Sequence, residues 1–397
     1  MSLELRVTDG DRHLASLAEE WVDLLPRSEQ DHPTLTPDWV LPWCREYGTV
    51  AGGRIRTGEV RQEGRLVALA PFVARRRLHR RVLPLRCLEL VCTGESEADE
   101  VLSEYVGVVA ERGLEVEGAT LLARAVATGR FGPVDELRIS AMNSEDPMTT
   151  ALRDALGREG WSAELIAWSQ APYAPLPASW DAFLSGLSRR SRHAVRRAER
   201  DLEAWAEGPL IVHLASDAKS LEEGHQVLEE LHGERWQAAG HGGAFASAAF
   251  ARFHAAVMPA LLSRGALELM WLEARGEPVA VLYNLVWQNK VYSYQSGRRM
   301  DLPKALRPGL AAHACAIRRG IELGRREYDF LGGDRRYKRE LSSAIRPIVN
   351  LEAIRPGPAY SVRRLVDRAA DVLRRSRALA WRRPAAAPPG GHEPGEA

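Results

Sequence analysis

The run from Tyr292 to Glu340 constrains this chain more than any other stretch. Tyr292-Ser-Tyr-Gln-Ser-Gly297 alternates as a strand, and a loop follows. Arg307-Pro-Gly309 opens a helix, read over Gly309–Leu323, that turns Ala311, Ala314, Ile317 and Ile321 to one face and stops at Gly324. Tyr328-Asp-Phe-Leu331 is a second strand, broken by Gly332-Gly333-Asp334. A helix start offers unpaired backbone N–H groups and the positive end of a dipole, which suit a phosphate. Gly309 permits close backbone approach, Pro308 costs no hydrogen bond there, and Arg307 adds charge. A plain Pro-Gly helix start is the alternative, and spacing alone favours it.

The rest of the chain falls into helices and hairpins. Residues 12–25 have helical periodicity, and a second helix begins at Thr36-Pro37. Strands over 55–61 and 66–73 are joined by Gln62-Glu63-Gly64, and another strand spans 87–92. Helical patterns recur at 149–160, 179–187, 191–205, 219–238 and 245–263, with a loop at Gly240–Gly243. A meander then runs through strands 266–274, 279–287 and 291–296. Val60–Leu69 and Glu273–Leu282 are both strand–turn–strand units following helical regions, a faint internal repeat that fits a duplicated α/β unit. Residues 161–168 read as a strand, and Pro172, Pro175 and Pro177 place a domain boundary within 165–180.

Of 397 residues, 45% are hydrophobic and 27% charged, which excludes a wholly disordered chain, collagen or a coiled-coil rod. Lys+Arg 54 against Asp+Glu 53 leaves a formal charge of +1, so only a local cluster could bind nucleic acid or membrane. Cys44, Cys87, Cys92 and Cys315 form neither a disulfide framework nor a zinc motif, and no metal is expected. They are read as buried thiols in a reducing compartment. No apolar run is long enough to span a bilayer and no signal peptide is seen, so a cytoplasmic protein is expected. Residues 361–383 form a basic amphipathic pattern with eight Arg against two Asp, and 384–397 are Pro/Ala/Gly-rich and read as disordered.

The 292–340 arrangement resembles the GNAT acyltransferase superfamily, whose loop reads Gln/Arg-x-x-Gly-x-Gly/Ala. Gly309-Leu310-Ala311 matches its second half, and Arg307 sits one place late. The ordered set Leu231-His-Gly-Glu-Arg-Trp236, Tyr294-Gln-Ser-Gly297, Arg307-Pro-Gly309, Tyr328-Asp-Phe-Leu331 and Gly333-Asp334 with Tyr337-Lys338 is similar to the CelD-type acetyltransferase-like family, related to FemAB peptidyltransferases. The resemblance covers about residues 175–345 well. It implies an α/β (α+β) fold of two tandem GNAT-like domains, each a mixed, mostly antiparallel sheet flanked by helices. The expected units are a degenerate domain over 1–168, an acyltransferase domain over 169–357, a basic helix over 358–383 and a tail over 384–397.

The resemblance also implies direct transfer: a neutral amine attacks a thioester or ester carbonyl, polarised by a backbone N–H where the central strand splays from its neighbour. Acetyl-CoA or another acyl-CoA would lie against Gln295, Ser296, Gly297, Arg307, Gly309, Leu310 and Ala311. In FemAB relatives the lysine matching Lys338 contacts the phosphate-bearing donor or the developing charge; a solvated surface lysine is the alternative. Asp334 would orient Lys338 or accept the amine proton, unless it only forms a turn. Tyr337 and Tyr294 are candidate proton donors to the leaving group, with burial in the core as the bland reading. His232, beside Glu234 on a predicted helix with Trp236, is a candidate base or a satisfied helical histidine. Arg189, His193, Arg196 and Arg200 share one face of a predicted helix, which would meet an anionic substrate or RNA phosphate, or simply water.

The favoured activity is acyl-CoA-dependent N-acylation of a small molecule, sugar or peptide amine. Two rivals keep the fold: an aminoacyl-tRNA-dependent amide-forming transferase, and a non-catalytic binding protein in polysaccharide synthesis. The basic C-terminal helix adds peripheral membrane contact as an expected partner.

Overall fold

The computed structural model describes residues 2–30, 32–237, 243–303, 305–333 and 335–381; the side chains of 51, 235–237, 244 and 371–381 are not described. The expected loop residues 240–242, Asp334 and the tail 384–397 therefore lie outside the described residues. The strands are β1 Leu3–Asp9, β2 Arg54–Gln62, β3 Arg65–His79, β4 Leu83–Leu90, β5 Val109–Ala110, β6 Glu136–Asn143, β7 Ser162–Pro175, β8 Ile211–Leu214, β9 Leu267–Ala274, β10 Glu277–Trp287, β11 Lys290–Arg298, β12 Glu327–Asp329 and β13 Ala344–Ile354. The helices are α1 Asp11–Ser16, α2 Ala18–Leu24, α3 Pro37–Tyr47, α4 Glu115–Ala127, α5 Pro147–Arg158, α6 Trp180–Gly186, α7 Arg189–Ala206, α8 Ala218–Gln237, α9 Ala248–Ser263, α10 Pro308–Glu322, α11 Arg336–Leu341 and α12 Pro358–Trp381.

All the strands join one mixed sheet in the order β1-β2-β3-β4-β6-β13-β7-β12-β11-β10-β9-β8, with β5 beside β3. Among the described residues only β4–β6 and β11–β12 are parallel, one such pair in each half. The two hairpins of the faint repeat are both present, as β2–β3 and β9–β10. Their two-residue turns, Glu63-Gly64 and Arg275-Gly276, take positive φ at both positions, as does Gln288-Asn289 between β10 and β11. That geometry matches the right-handed twist of the flanking strands. The helices preceding the two hairpins, α3 and α9, pack against each other, with Trp39 edge-on to Phe253 at 5.1 Å.

The seam between the halves differs from expectation. β7 does not stop at Pro172: it runs to Pro175, so the expected 168/169 boundary lies inside one strand. Proline lacks only the N–H, and its carbonyl remains available: Pro172 accepts from the Phe330 amide at 3.0 Å. β13, assigned by position to the C-terminal domain, pairs with β6 of the N-terminal half on one side and with β7 on the other. The expected helix over 12–25 is two helices broken at Leu17, and the expected amphipathic helix begins at Pro358. No helix among the described residues is long and apolar enough to cross a membrane.

Candidate active site

The parallel pair of the C-terminal half opens into a cleft. β11 pairs with β12 only over Lys290–Tyr292 against Glu327–Asp329, so Ser293 to Arg298 diverge from it. On its other side β11 keeps its partner β10, with a register shift at Tyr283/Asn284 that leaves Tyr294 as the extra residue. A cavity of about 430 Å³ lies where the end of β11, the start of α10 and the start of α11 converge. Ser296, Gly297, Arg307, Gly309, Leu310 and Tyr337, all candidates from the sequence, are among the residues that line it. Arg298, Arg335, Arg336 and His313 also line it and were not singled out in the sequence.

Four arginines therefore line one cavity. Arg307 pairs with Glu340, which also accepts from Arg336 Nε at 2.8 Å. Burial pushes the Glu340 carboxyl up, but the hydrogen bonds from Arg307 and Arg336 outweigh it and hold it low. Even with Glu340 charged, the cavity carries excess positive charge. At the helix start Pro308 has no N–H, and the Leu310 and Ala311 amides both turn to the Arg307 carbonyl, at 3.0 and 3.1 Å. Gly309 is the first residue of the turn with an amide to offer. Tyr337 stacks on His313 at 4.6 Å, and the His313 Nδ1 meets the Tyr328 hydroxyl at 3.0 Å, so the aromatic wall is fixed from behind.

The other expected site residues are dispersed. Gln295 does not line the cavity, and Ala311 is fully buried in the core beneath it. Gly297 is where α8 crosses β11: a Cβ there would lie 2.5 Å from the His232 nitrogen. His232 is buried behind the strand, edge-on to Phe245 at 5.3 Å, and does not reach the cavity. The Tyr294 hydroxyl turns to the seam, donating to the Val101 carbonyl and meeting His254 Nε2 at 3.1 Å; burial pushes its pKa far up. Trp236 lies on α8, its side chain outside the described residues. Arg189, His193 and Arg196 are exposed on α7. Glu199 of α7 pairs with Arg318 near the far end of α10, while Trp180, which precedes α7, stacks on that same Arg318. The basic end of α7 thus sits by the C-terminal end of α10, away from the cavity at its start.

Lys338 is not a surface residue. It is 7% exposed, and its Nζ donates to the carbonyls of Phe330 at 2.7 Å, Leu331 at 3.1 Å and Gly332. Facing it, Glu104 of the N-terminal half accepts the Gly332 amide at 2.5 Å; burial raises its pKa. Asp329 lies at the apex of the splay, fully buried, bound by Arg346 at 2.7 Å, Tyr105 at 2.8 Å and the Leu331 amide at 2.7 Å. Burial lifts it to about 6 against the pull of Arg346.

On the seam, beyond the 332–333 turn, a second cleft of about 490 Å³ is lined by Trp168, Ser169, Pro172, Gly333, Arg339 and Ile345 among others. Trp168 is 42% and Ile345 54% exposed, so the cleft is apolar and open. A smaller polar pocket behind the apex holds His32, Tyr105, Tyr292, Arg346 and Asp146. Asp146 caps α5 through the Met148 amide at 2.7 Å, and burial raises its carboxyl from 3.8 to about 6. A carboxyl raised in this way holds its proton more tightly in the fold than in the unfolded chain. Its contribution to stability is complete below about pH 4 and lost as pH climbs through about 6. Asp146→Asn keeps the cap and removes that charge. It is expected to flatten the fall in unfolding free energy between pH 4 and 7 by about 2 kcal/mol, read by urea titration at several pH values.

Residues 189–339 match the family model described as Acetyltransferase (GNAT) domain. The splayed strands and the cavity at the helix start both lie within this matched segment, which supports an acyltransferase. Among solved structures the fold is similar to that of FemX, with a TM-score of 0.60 and 12% identity over 91% of this chain and 99% of that one. It is also similar to the C-terminal domain of a putative lysylphosphatidylglycerol synthetase from Agrobacterium fabrum, with a TM-score of 0.50 and 12% identity over 92% and 98%. L-PGS from Bacillus licheniformis matches with a TM-score of 0.50 and 12% identity over 88% and 96%. No curated protein matches the chain in sequence.

Proposed function

We propose that this chain is an acyl-CoA-dependent N-acyltransferase of the CelD-type group, acetyl-CoA being the leading donor, acting on an amine of a small molecule, sugar or peptide. The observation that carries the reading is the convergence of Arg298, Arg307, Arg335 and Arg336 on a 430 Å³ cavity at a helix start, beside a splayed strand. Guanidinium groups bind phosphate oxygens in pairs, so this cavity suits the pyrophosphate end of the donor. When bound, an acyl-CoA supplies the activated thioester. The chain's own part is to hold that donor along Ser296–Gly297, to exclude water behind the Tyr337–His313 stack, and to admit an amine from the seam cleft at Trp168 and Ile345. The two openings flank the turn that Lys338 holds, which makes Lys338 a positioning residue here.

Calorimetric titration with CoA and acetyl-CoA tests the donor, and thiol release with a panel of amines tests the acceptor. Arg307→Ala is expected to weaken CoA binding about tenfold, as loss of one charge-assisted phosphate contact should. Unchanged CoA affinity in that variant removes the cavity from the donor site. A second reading, with aminoacyl-tRNA as donor, is favoured by the likeness to FemX along nearly the whole of both chains. Stabilisation by aminoacyl-tRNA and not by CoA decides for it.

A further inference from the structure

β3 and β4 project beyond the rest of the sheet. β2 accompanies β3 only as far as Ala74, and β6 joins β4 only from Cys87. Between those limits the two strands pair only with each other, from Arg76↔Arg86 to His79↔Leu83, and at the base the Arg86 carbonyl accepts from the Asp135 amide at 2.8 Å. This two-stranded arm carries six arginines and no acidic residue. Its turn is Arg80-Arg81, both at positive φ, positions where Asn or Gly is favoured. Leu78 is 62% and Val82 65% exposed, so the tip shows two large apolar side chains among the arginines.

Among its described side chains, α12 is fastened beside this arm by charge. Arg363 is buried between Glu136 and Glu352, and Asp367 accepts from His79 Nε2 at 2.9 Å and from Arg80 Nε. Val362 and Leu365, which a docked amphipathic helix would bury, stay 43% and 62% exposed. Arg76, Arg81, Arg364 and Arg368 are exposed and have no carboxylate partner among the described residues. The arm tip and the outward side of α12 thus place apolar side chains and uncompensated guanidinium groups together, on a molecule whose formal charge is only +1.

We propose that the β3–β4 arm and α12 form one docking surface for an anionic lipid bilayer, with Leu78, Val82 and Leu365 entering the interface and the four exposed arginines without a carboxylate partner facing lipid phosphates. Either component alone is weak. A lone arginine pair is screened by salt, and a few apolar side chains give marginal partition; together they meet the two requirements of reversible interfacial binding.

The test is sedimentation of the full chain with phosphatidylcholine vesicles, with and without about 30% phosphatidylglycerol. Pelleting is expected with the anionic vesicles only, and it should disappear in about 0.5 M salt. Leu78→Glu with Val82→Glu should lower the bound fraction about tenfold while leaving CoA-dependent stabilisation as in the parent. Arg81→Gly should also weaken it; glycine suits that positive φ, so failure to fold is not at issue. Equal pelleting with both vesicle types, none with either, or full retention in the leucine–valine double variant overturns the proposal. Retention of tRNA that is lost in Arg81→Gly, with no vesicle binding, overturns it in favour of a nucleic-acid surface.

Discussion

Lys338→Ala is expected to lower the free energy of unfolding by about 3 kcal/mol and to abolish transfer with it. The Lys338 ammonium donates to three successive carbonyls, Phe330, Leu331 and Gly332, at the point where the chain leaves β12. That turn is unusual for its sequence: Leu331 has φ +56, and its amide folds back to Asp329 Oδ1. Removing the ammonium leaves three carbonyls with fewer donors, and each buried one costs about 1–3 kcal/mol unless water enters. It also leaves Glu104, buried and hydrogen-bonded to the Gly332 amide, without its nearby cation. Urea titration and thiol-release assays on the same variant separate the two effects. Lys338→Ala with parental stability and greatly reduced turnover would return the residue to direct chemistry. Lys338→Met, which keeps the stem, should lose nearly as much stability because the donors, not the volume, are what the turn uses.

Part of the cavity lining at the start of α10 was legible in the sequence, and the reason is local. Ser296-Gly297 and Arg307-Pro-Gly-Leu310 lie on either side of one loop, so a strand end and a helix start must meet near them. Arg298, Arg335 and Arg336 could not be weighted in the same way. Arginine is abundant throughout the chain, and only the fold shows that three separated segments bring theirs to one cavity while those of α7 remain on an outer face. For Lys338 the sequence left a site lysine and a solvated one both open, because its burial depends on carbonyls six to eight residues away, which periodicity does not reveal. The seam was the least legible part. β13 holds Arg346, Pro347 and Asn350 among its apolar residues, and so lacks the clean alternation of a half-exposed strand. Its partners β6 and β7 lie more than 150 residues earlier. The Asp329–Arg346–Tyr105 cluster depends on that long-range pairing.

Gly297→Ala is expected to cost about 2–3 kcal/mol and to weaken CoA binding more than tenfold, although it adds one methyl group. The added carbon would lie 2.5 Å from the His232 nitrogen, 2.6 Å from the Leu231 carbonyl carbon and 2.8 Å from Leu231 Cβ. Two of those atoms are helix backbone, which cannot rotate away as a side chain would. Either α8 lifts from the sheet or the end of β11 moves, and β11 forms a wall of the cavity. Gly309→Ala is the control from the opposite wall. Its nearest neighbour would be Arg298 Cδ at 3.6 Å, an ordinary contact with a flexible chain, and alanine favours the first turn of α10. Its stability should equal or exceed that of the parent by up to about 1 kcal/mol. If both glycines tolerate alanine equally in melting temperature and CoA titration, α8 does not brace the end of β11. If Gly297→Ala alone fails, the absent side chain at 297 is what lets helix and splayed strand close into a cavity.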